Sequence, residues 1–124
     1  MAAKPTILIC EDEPPLRELM KVTLGDDYEF VEATTAADAI DAVETAEPDL
    51  VLLDVMLPGR SGIDLLHELR ETALAAVPVV VVSAWQSAAD YQAAIDAGAD
   101  AFLGKPFLPE ELTRIVSTLL GDDR

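Results

Sequence analysis

Short apolar runs alternate with amphipathic stretches along the chain. The runs at 6–10, 50–55 and 77–83 are continuous and rich in leucine or β-branched residues, a pattern typical of strands buried on both faces of a parallel sheet. The run at 28–33 alternates more between polar and apolar positions, and the run at 101–103 is brief. We therefore expect these last two strands to lie near the sheet edges or to be partly covered.

The amphipathic stretches have recognisable helix ends. Pro14 and Pro15 suit a first helical turn, and Gly25 and Gly98 suit helix C-termini. Three residue pairs have the spacing of a capping box and predict helix starts: Thr35 with Asp38, Ser61 with Asp64, and Ser87 with Asp90. The positions predicted to face the core are Leu16, Leu19, Met20 and Thr23; Ala39, Ile40 and Val43; Ile63, Leu66 and Leu69; and, in a last helix at about 109–120, Leu112, Ile115, Val116 and Leu119.

Strands and helices are thus predicted to alternate five times over 124 residues, a length that suits one compact domain. We take residues 1–124 as a single domain with its core at about 5–120. The alternation favours an α/β fold in which right-handed crossovers place helices on both faces of a parallel sheet. In such sheets, ligands bind outside the carboxyl ends of the strands, where the strand order reverses.

Composition narrows the classes of partner. Eight Lys and Arg against 24 Asp and Glu give a net charge of −16, which repels phosphate backbones and anionic lipid and attracts cations or basic surfaces. Direct binding to nucleic acid or a membrane is therefore not expected. The single cysteine, Cys10, lies in an apolar run and predicts a buried, inert thiol in a reducing compartment. With no recognisable signal peptide or membrane span, the prediction is a cytoplasmic protein.

Polar side chains follow the predicted strands at their carboxyl ends. Glu11 and Asp12 come directly after the first strand, Asp54 ends the third inside the apolar run VLLDVMLPGRSG, Ser83 ends the fourth, and Lys105 follows the fifth. Any one of these residues alone is more often a turn residue, a cap or a solvated side chain. Their occurrence at four different strand ends is what indicates a site.

The chemistry of that site follows from its charges. Three carboxylates that lie close together repel one another, and a hard divalent cation relieves the repulsion. Mg²⁺ takes one or two carboxylates together with waters and phosphate oxygens. Lys105 and Ser83 suit the oxygens of a transferred phosphoryl group. A carboxylate can also act as a nucleophile and form an aspartyl phosphate, for which Asp54 is the candidate.

The segments CEDEPPLRELM, PDLVLLDVMLPGRSG, VVVVSAW and GADAFLGKPF together resemble the receiver domain of two-component response regulators. The resemblance covers about residues 5–120. It implies a flavodoxin-like, doubly wound (βα)5 fold with a five-stranded parallel sheet in the order 2-1-3-4-5. It also implies that a sensor histidine kinase or phosphotransfer protein supplies a phosphoryl group, and that the domain is not an enzyme beyond its own phosphorylation and dephosphorylation.

On this resemblance, Asp54 is the phosphoacceptor. Asp12, Asp54 and the backbone carbonyl of Met56 bind Mg²⁺, while Glu11 contributes through water. Lys105 contacts the oxygens of the phosphoryl group.

Further roles are implied for residues around that centre. Ser83 also contacts the phosphoryl group and, with Phe102, forms a switch that alters the surface of the fourth helix, fifth strand and fifth helix. Through that face the domain is expected to meet a downstream effector protein or to dimerise, or else to remain a monomer. The Lys105–Pro106 bond matches a position that is usually cis.

Five residues depart from the family pattern or need their own interpretation. Phe102 replaces a tyrosine and lacks its hydroxyl group, and Leu108 stands where a helix-capping side chain is expected. Trp85 and Met56 are each two residues past a site residue, so we expect them to overhang the site and slow hydrolysis of the phosphoryl group. His67, on the third helix, is not expected to take part in phosphotransfer.

Two alternatives stay open at this point. A Mg²⁺-dependent aspartyl-phosphate phosphatase of the haloacid dehalogenase type has similar chemistry, but it carries Asp-x-Asp after the first strand, where this chain reads Glu11-Asp12-Glu13. A phosphate-independent interaction module could also use the same fold. The chain is either a stand-alone regulator or a receiver taken from a longer protein.

Overall fold

The structure, a computed structural model, describes residues 4–59, 61–72, 76–84 and 87–121. Its strands are β1 (Thr6–Cys10), β2 (Glu29–Ala33), β3 (Leu50–Asp54), β4 (Val79–Ser83) and β5 (Ala101–Gly104). Its α-helices are α1 (Pro14–Leu24), α2 (Ala36–Ala46), α3 (Gly62–Thr72), α4 (Ala88–Asp96) and α5 (Pro109–Leu120). A 3-10 turn at Gly25–Asp27 follows α1.

The strands form one parallel sheet in the order β2-β1-β3-β4-β5. This confirms the predicted strand order and the two edge strands. From β1 the chain first adds β2 on one side and then β3 on the other, so the order reverses between β1 and β3. The carboxyl ends of these two strands therefore flank the position where ligands bind in sheets of this kind.

Each central strand is buried on both faces, which explains its continuous apolar run. Successive side chains alternate between two cores, since the side-chain period of a strand is two. Leu8, Val51 and Val81 belong to the core that packs against α2, α3 and α4. Ile7 and Leu52 belong to the other core, which packs against α1 and α5. The helices thus cover both faces of the sheet.

Some local predictions fail in detail. Leu19 was expected to face the core, but 44% of it is exposed, while Met20 and Leu24 are buried. Thr35 caps α2, and Ser87 forms a full capping box with α4. At the start of α3, the Ser61 hydroxyl accepts a 3.2 Å hydrogen bond from the backbone N–H of Ile63.

Two side chains outside the strand-end group lie where the sequence placed them. Cys10 is buried, and this burial raises the pKa of its thiol to about 12, so the thiol is unreactive at neutral pH. His67 is exposed on α3. Within the described ranges, every helix is too short or too polar to cross a lipid bilayer.

Candidate phosphoryl and metal site

Asp54 ends β3 with only 2% of its surface exposed. Its carboxylate is nevertheless well paired. Oδ1 accepts a hydrogen bond of 2.9 Å from the backbone N–H of Met56, and Oδ2 lies 2.9 Å from Lys105 Nζ. These two contacts offset the cost of burying a carboxylate in the middle of an apolar run.

Glu11 and Asp12 bring two more carboxylates to the same place. Glu11 is fully buried at the end of β1, whereas Asp12 is exposed. One carboxylate oxygen from each of Glu11, Asp12 and Asp54 lies within 4.8 Å of the others. The three acids therefore meet where the strand order reverses.

Lys105 is shared between these acids. Its Nζ lies 2.9 Å from Asp54 Oδ2, 3.0 Å from Glu11 Oε1 and 3.8 Å from Glu13 Oε1. The contact with buried Glu11 Oε1 is an ion pair without the directed geometry of a hydrogen bond. Burial lowers the pKa of Lys105, but the Asp54 and Glu11 carboxylates outweigh burial and raise that pKa above its ordinary value. The lysine is therefore a permanent positive charge.

A single ammonium group does not balance the acids. Burial raises the pKa of Glu11 to about 7; Lys105 opposes this shift, and the neighbouring Asp54 carboxylate adds to it. The cluster thus has more negative charge than its lysine neutralises, and its exposed member, Asp12, opens it to solvent. Oxygen ligands with an excess of negative charge and access to water are what Mg²⁺ requires. The residues present could hold such an ion.

The β4 and β5 ends complete the arrangement. Ser83 is buried, and its carbonyl accepts a 2.8 Å hydrogen bond from the backbone N–H of Lys105. Val82, the residue before it, pairs with Asp54 in the sheet register. The structure therefore brings Ser83 beside the same rim of the sheet as the acids and the lysine.

Phe102 lies beneath this rim on β5. A small cavity of about 90 Å³ separates it from Ser83 and from the first half of α4; the cavity is lined by Val55, Ile63, Val81, Ser83, Asp90, Ala93 and Phe102. The Phe102 ring also packs against exposed Tyr91 of α4, with ring centroids 5.8 Å apart. Phe102 thus has both a surface neighbour and an internal space beside it.

Gly62 is a site-shaping residue that the sequence analysis missed. A Cβ at this position would lie 2.4 Å from Val55 Cα, so a side chain cannot fit without moving the backbone. The Gly62 N–H also donates to the Val55 carbonyl at 3.0 Å. This contact holds the start of α3 against the loop that follows Asp54. A glycine directly after a capping serine was the available signal.

Four other positions that the sequence singled out are Met56, Trp85, Leu108 and the Lys105–Pro106 bond. Met56 is half exposed beside Asp54, and Trp85 lies outside the described residues. Leu108 is 60% exposed and begins α5 without a side-chain cap, as expected; its backbone N–H donates to Glu111 Oε1 at 2.9 Å. The Lys105–Pro106 peptide bond is cis, as the family pattern implied.

Comparison with known proteins matches residues 7–117 to the response regulator receiver domain. The DNA-binding response regulator MtrA of Mycolicibacterium smegmatis is 38% identical over 115 residues, which are 92% of this chain and 50% of that protein. The KDP operon transcriptional regulatory protein KdpE of Escherichia coli is 42% identical over 102 residues, which are 82% of this chain and 44% of that protein. The chain spans about half the length of these curated relatives.

The DNA binding in the name of MtrA belongs to that full-length protein. The prediction of no direct contact with nucleic acid therefore finds no support among full-length relatives of this kind. For the residues described above it stays a prediction.

Solved structures agree with the family match. The BeF3-activated N-terminal receiver domain of Klebsiella pneumoniae RstA has a TM-score of 0.86 and 29% identity, and the match covers 93% of this chain and 97% of that one. A CheY-like response regulator receiver domain protein from Methanospirillum hungatei has a TM-score of 0.86 and 27% identity over 97% of this chain and 96% of that one. The chain belongs to the receiver domains of two-component response regulators, a family of signalling modules.

Proposed function

We propose that this chain is a phosphorylation-controlled switch in which Asp54 accepts a phosphoryl group from a phosphohistidine on a sensor histidine kinase or phosphotransfer protein. The observation that carries the proposal is the shared lysine. Lys105 Nζ lies within 3.0 Å of both the Asp54 and Glu11 carboxylates at the strand-order reversal. The domain that switches is taken as the whole chain, with its core at about residues 5–120.

In the proposed transfer, a carboxylate oxygen of Asp54 attacks phosphorus and forms an O–P bond. The P–N bond to the donor imidazole breaks, and its electron pair stays on the imidazole nitrogen, which takes up a proton. Lys105 offsets the negative charge on the phosphoryl oxygens, and the Ser83 hydroxyl donates a hydrogen bond to one of them. The Met56 N–H holds the carboxylate in place at 2.9 Å.

The same residues are proposed to hold Mg²⁺: Asp12, Asp54 and the backbone carbonyl of Met56 as ligands, with Glu11 contributing through water. When bound, the ion neutralises charge on the carboxylates and the phosphoryl oxygens. The excess of carboxylates over ammonium groups at the described site supports this assignment.

The proposed switch acts through Ser83 and Phe102. A phosphoryl group adds about −2 charge at the rim and draws the Ser83 hydroxyl toward it. The cavity of about 90 Å³ between Ser83 and Phe102 gives the aromatic ring space to turn inward, away from Tyr91. Such a change alters the face formed by α4, β5 and α5, where a downstream effector or a second copy of the chain would bind.

The route of the phosphoryl donor follows from the surface beside Lys105. An apolar groove of about 480 Å³ borders that lysine between the start of α1 and the segment after β5. Its lining includes Leu16, Leu19 and Phe107, and Leu19 is exposed. A phosphohistidine domain with an apolar surface could rest there while its imidazole reaches Asp54. We place this encounter in the cytoplasm, in keeping with the acidic composition and the single buried cysteine.

Acetyl phosphate, a small phosphoryl donor, provides the test. Intact-mass spectrometry should detect a single added phosphoryl group in the presence of Mg²⁺ and none when the metal is chelated. Asp54→Asn should abolish the addition, whereas Asp41→Asn, which changes an exposed acid on α2, should leave it unchanged. Labelling that survives Asp54→Asn would refute the site. Multiple turnovers of p-nitrophenyl phosphate would instead favour the phosphatase alternative.

A further inference from the structure

Arg17 makes a contact with the acid pair that the proposed function does not use. This side chain lies in the first turns of α1 and is mostly buried. Its Nη1 donates a 3.0 Å hydrogen bond to the backbone carbonyl of Glu11. That carbonyl belongs to the peptide group that joins Glu11 to Asp12. Arg17 therefore holds the peptide plane between the two acids.

The arginine is itself anchored from its other edge. Its Nε donates to Glu32 Oε1 of β2 at 2.8 Å, and the second oxygen of Glu32 lies 3.3 Å from Lys21 Nζ. The planar guanidinium can bond two acceptors at once in a fixed geometry, which an ammonium on a flexible chain cannot reproduce. The bridge from β2 to the Glu11 carbonyl thus depends on an arginine.

Glu11 has several other restraints, and Asp12 has few. The Glu11 N–H donates to the Ala33 carbonyl at 3.0 Å, and Glu11 Oε2 accepts from the Glu13 N–H at 3.2 Å. Among the described residues, the exposed Asp12 carboxylate has no hydrogen-bond or ion-pair partner. Its position therefore follows from the backbone on either side of it, and the Glu11–Asp12 peptide is the part that Arg17 holds.

We infer that Arg17 is a positioning residue for metal binding: by fixing the Glu11–Asp12 peptide against Glu32, it holds the Asp12 carboxylate ready to bind Mg²⁺. This inference rests on the proposed function, since it presupposes a Mg²⁺ site at the acids. Outer groups that orient metal ligands typically change metal affinity by about 10–100-fold when they are removed.

The direction in which Mg²⁺ affinity changes when Arg17 is replaced distinguishes a positioning role from a purely electrostatic one. A positive side chain near a cation site repels the cation, so removing its charge should tighten Mg²⁺ binding. Loss of positioning should weaken binding. Lys21 offers a matched control because it shares Glu32 with Arg17 but makes no contact with Glu11 among the described residues.

The test measures the Mg²⁺ dissociation constant of the full chain by isothermal titration calorimetry, together with the metal-free melting temperature. Arg17→Ala should weaken Mg²⁺ binding about tenfold. Arg17→Lys, which keeps the positive charge but cannot reproduce the bridge, should weaken Mg²⁺ binding at least as much, and it serves if the alanine variant does not fold. Lys21→Ala should bind Mg²⁺ as tightly as wild type or slightly more tightly. Saturating Mg²⁺ should restore labelling of Arg17→Lys by acetyl phosphate.

Two failures are distinguishable. If wild type does not bind Mg²⁺, the metal part of the proposed function fails and this inference fails with it. If wild type binds Mg²⁺ but the Arg17 variants bind it equally well or more tightly, the positioning role alone is overturned. The same holds if the variants lose thermal stability without any loss of affinity, because Arg17 would then only stabilise the fold.

Discussion

The two ends of the sheet both carry clusters of charged side chains, and they differ in how well the charges are matched. At the amino ends of β4 and β5, the Arg70 guanidinium bonds the Gly98 carbonyl at 2.7 Å, Asp100 Oδ2 at 2.7 Å and the Val77 carbonyl. The Asp100 carboxylate also accepts a 2.8 Å hydrogen bond from the Val79 N–H. At the carboxyl ends, Lys105 is shared among several acids.

The difference indicates what each cluster does. At the amino-end cluster, within the part of the chain that the structure describes, one guanidinium meets one carboxylate and two carbonyls, so positive and negative charge are matched. At the carboxyl-end cluster, Glu11, Asp12 and Asp54 exceed the charge of Lys105, and Glu11 has a raised pKa. A matched cluster stabilises the fold, whereas a cluster with surplus charge of one sign is suited to binding an ion or a group of the other sign.

The largest expected effect on stability is at the amino-end cluster. Arg70→Ala removes a mostly buried guanidinium and leaves Asp100 without its charged partner, so the free energy of unfolding should fall by about 3 kcal/mol. Urea denaturation measures this change. Labelling of the folded variant by acetyl phosphate should persist, because the cluster lies at the opposite end of the sheet from Asp54. Lys21→Ala, a control outside both clusters, should change stability much less. A comparably small loss in Arg70→Ala would show that the matched cluster does not stabilise the fold.

The carboxyl-end cluster should make stability depend on pH. The pKa of Glu11 is about 7 in the folded protein against an ordinary 4.5, so the folded state holds a proton that the unfolded state releases between these values. Its stabilising contribution is therefore full below about pH 4.5 and is lost as pH rises through about 7. The metal-free protein should lose on the order of 2 kcal/mol between pH 5 and pH 8 from this group.

Urea denaturation in the presence of a chelator checks this dependence. Glu11→Gln should remove this part of the loss, because the amide does not titrate. Saturating Mg²⁺ should also reduce the loss, since the ion binds the ionised acids of the folded state. An unchanged pH slope in Glu11→Gln would contradict the assignment of the raised pKa to Glu11.

Replacing an aspartate by asparagine should change the free energy of unfolding in opposite directions at the two clusters. Asp100→Asn leaves Arg70 without a carboxylate and should lower the free energy of unfolding by about 1 kcal/mol, since the Asp100 side chain is 42% exposed. Asp54→Asn keeps an oxygen that can accept the Met56 N–H but removes the surplus charge, leaving Lys105 paired with Glu11. The metal-free Asp54→Asn variant should therefore be more stable than wild type by about 1 kcal/mol.

Thermal denaturation of wild type, Asp100→Asn and Asp54→Asn without metal measures these two changes in stability. A decrease in stability for Asp54→Asn as large as that for Asp100→Asn would mean that the two clusters are equally matched. The carboxyl-end cluster would then have no surplus of negative charge.

Much of the carboxyl-end cluster could be predicted because its residues follow directly from strand positions. Asp54 and Ser83 end apolar runs, and parallel strands bring those ends to one edge. The amino-end cluster could not be predicted in this way. Arg70 and Asp100 are 30 residues apart and join through a loop contact, and no local period in the sequence indicates which loop a long side chain will reach.

The sequence also fails to fix which residues of a helix face the core. The period of α1 marked Leu19 as a core residue, but the phase of the helix is set by the packing of Met20 and Leu24 against the sheet. Arg17 was likewise not singled out, because a lone arginine on a helix surface is usually solvated. Its role depends on a carbonyl oxygen, and backbone acceptors leave no trace in the sequence.

The smallest expected effect concerns Leu108, an exposed leucine at the start of α5. A capping residue here would bond the Glu111 N–H and stabilise the helix by about 1 kcal/mol relative to alanine. Leu108→Asp should therefore raise the free energy of unfolding slightly, while Leu108→Ala, which removes the apolar surface without adding a cap, should not. Urea denaturation of the two variants separates these outcomes.

We propose that Leu108 is instead a contact for a partner protein. Both Leu108 variants should weaken binding to the kinase or the effector in a pull-down with the purified partner, and both should be labelled by acetyl phosphate at the wild-type rate. If binding stays normal in both, Leu108 is one of the scattered apolar residues found on any protein surface. If only Leu108→Asp loses binding, the added charge and not the lost leucine side chain is responsible, and the contact assigned to Leu108 is wrong.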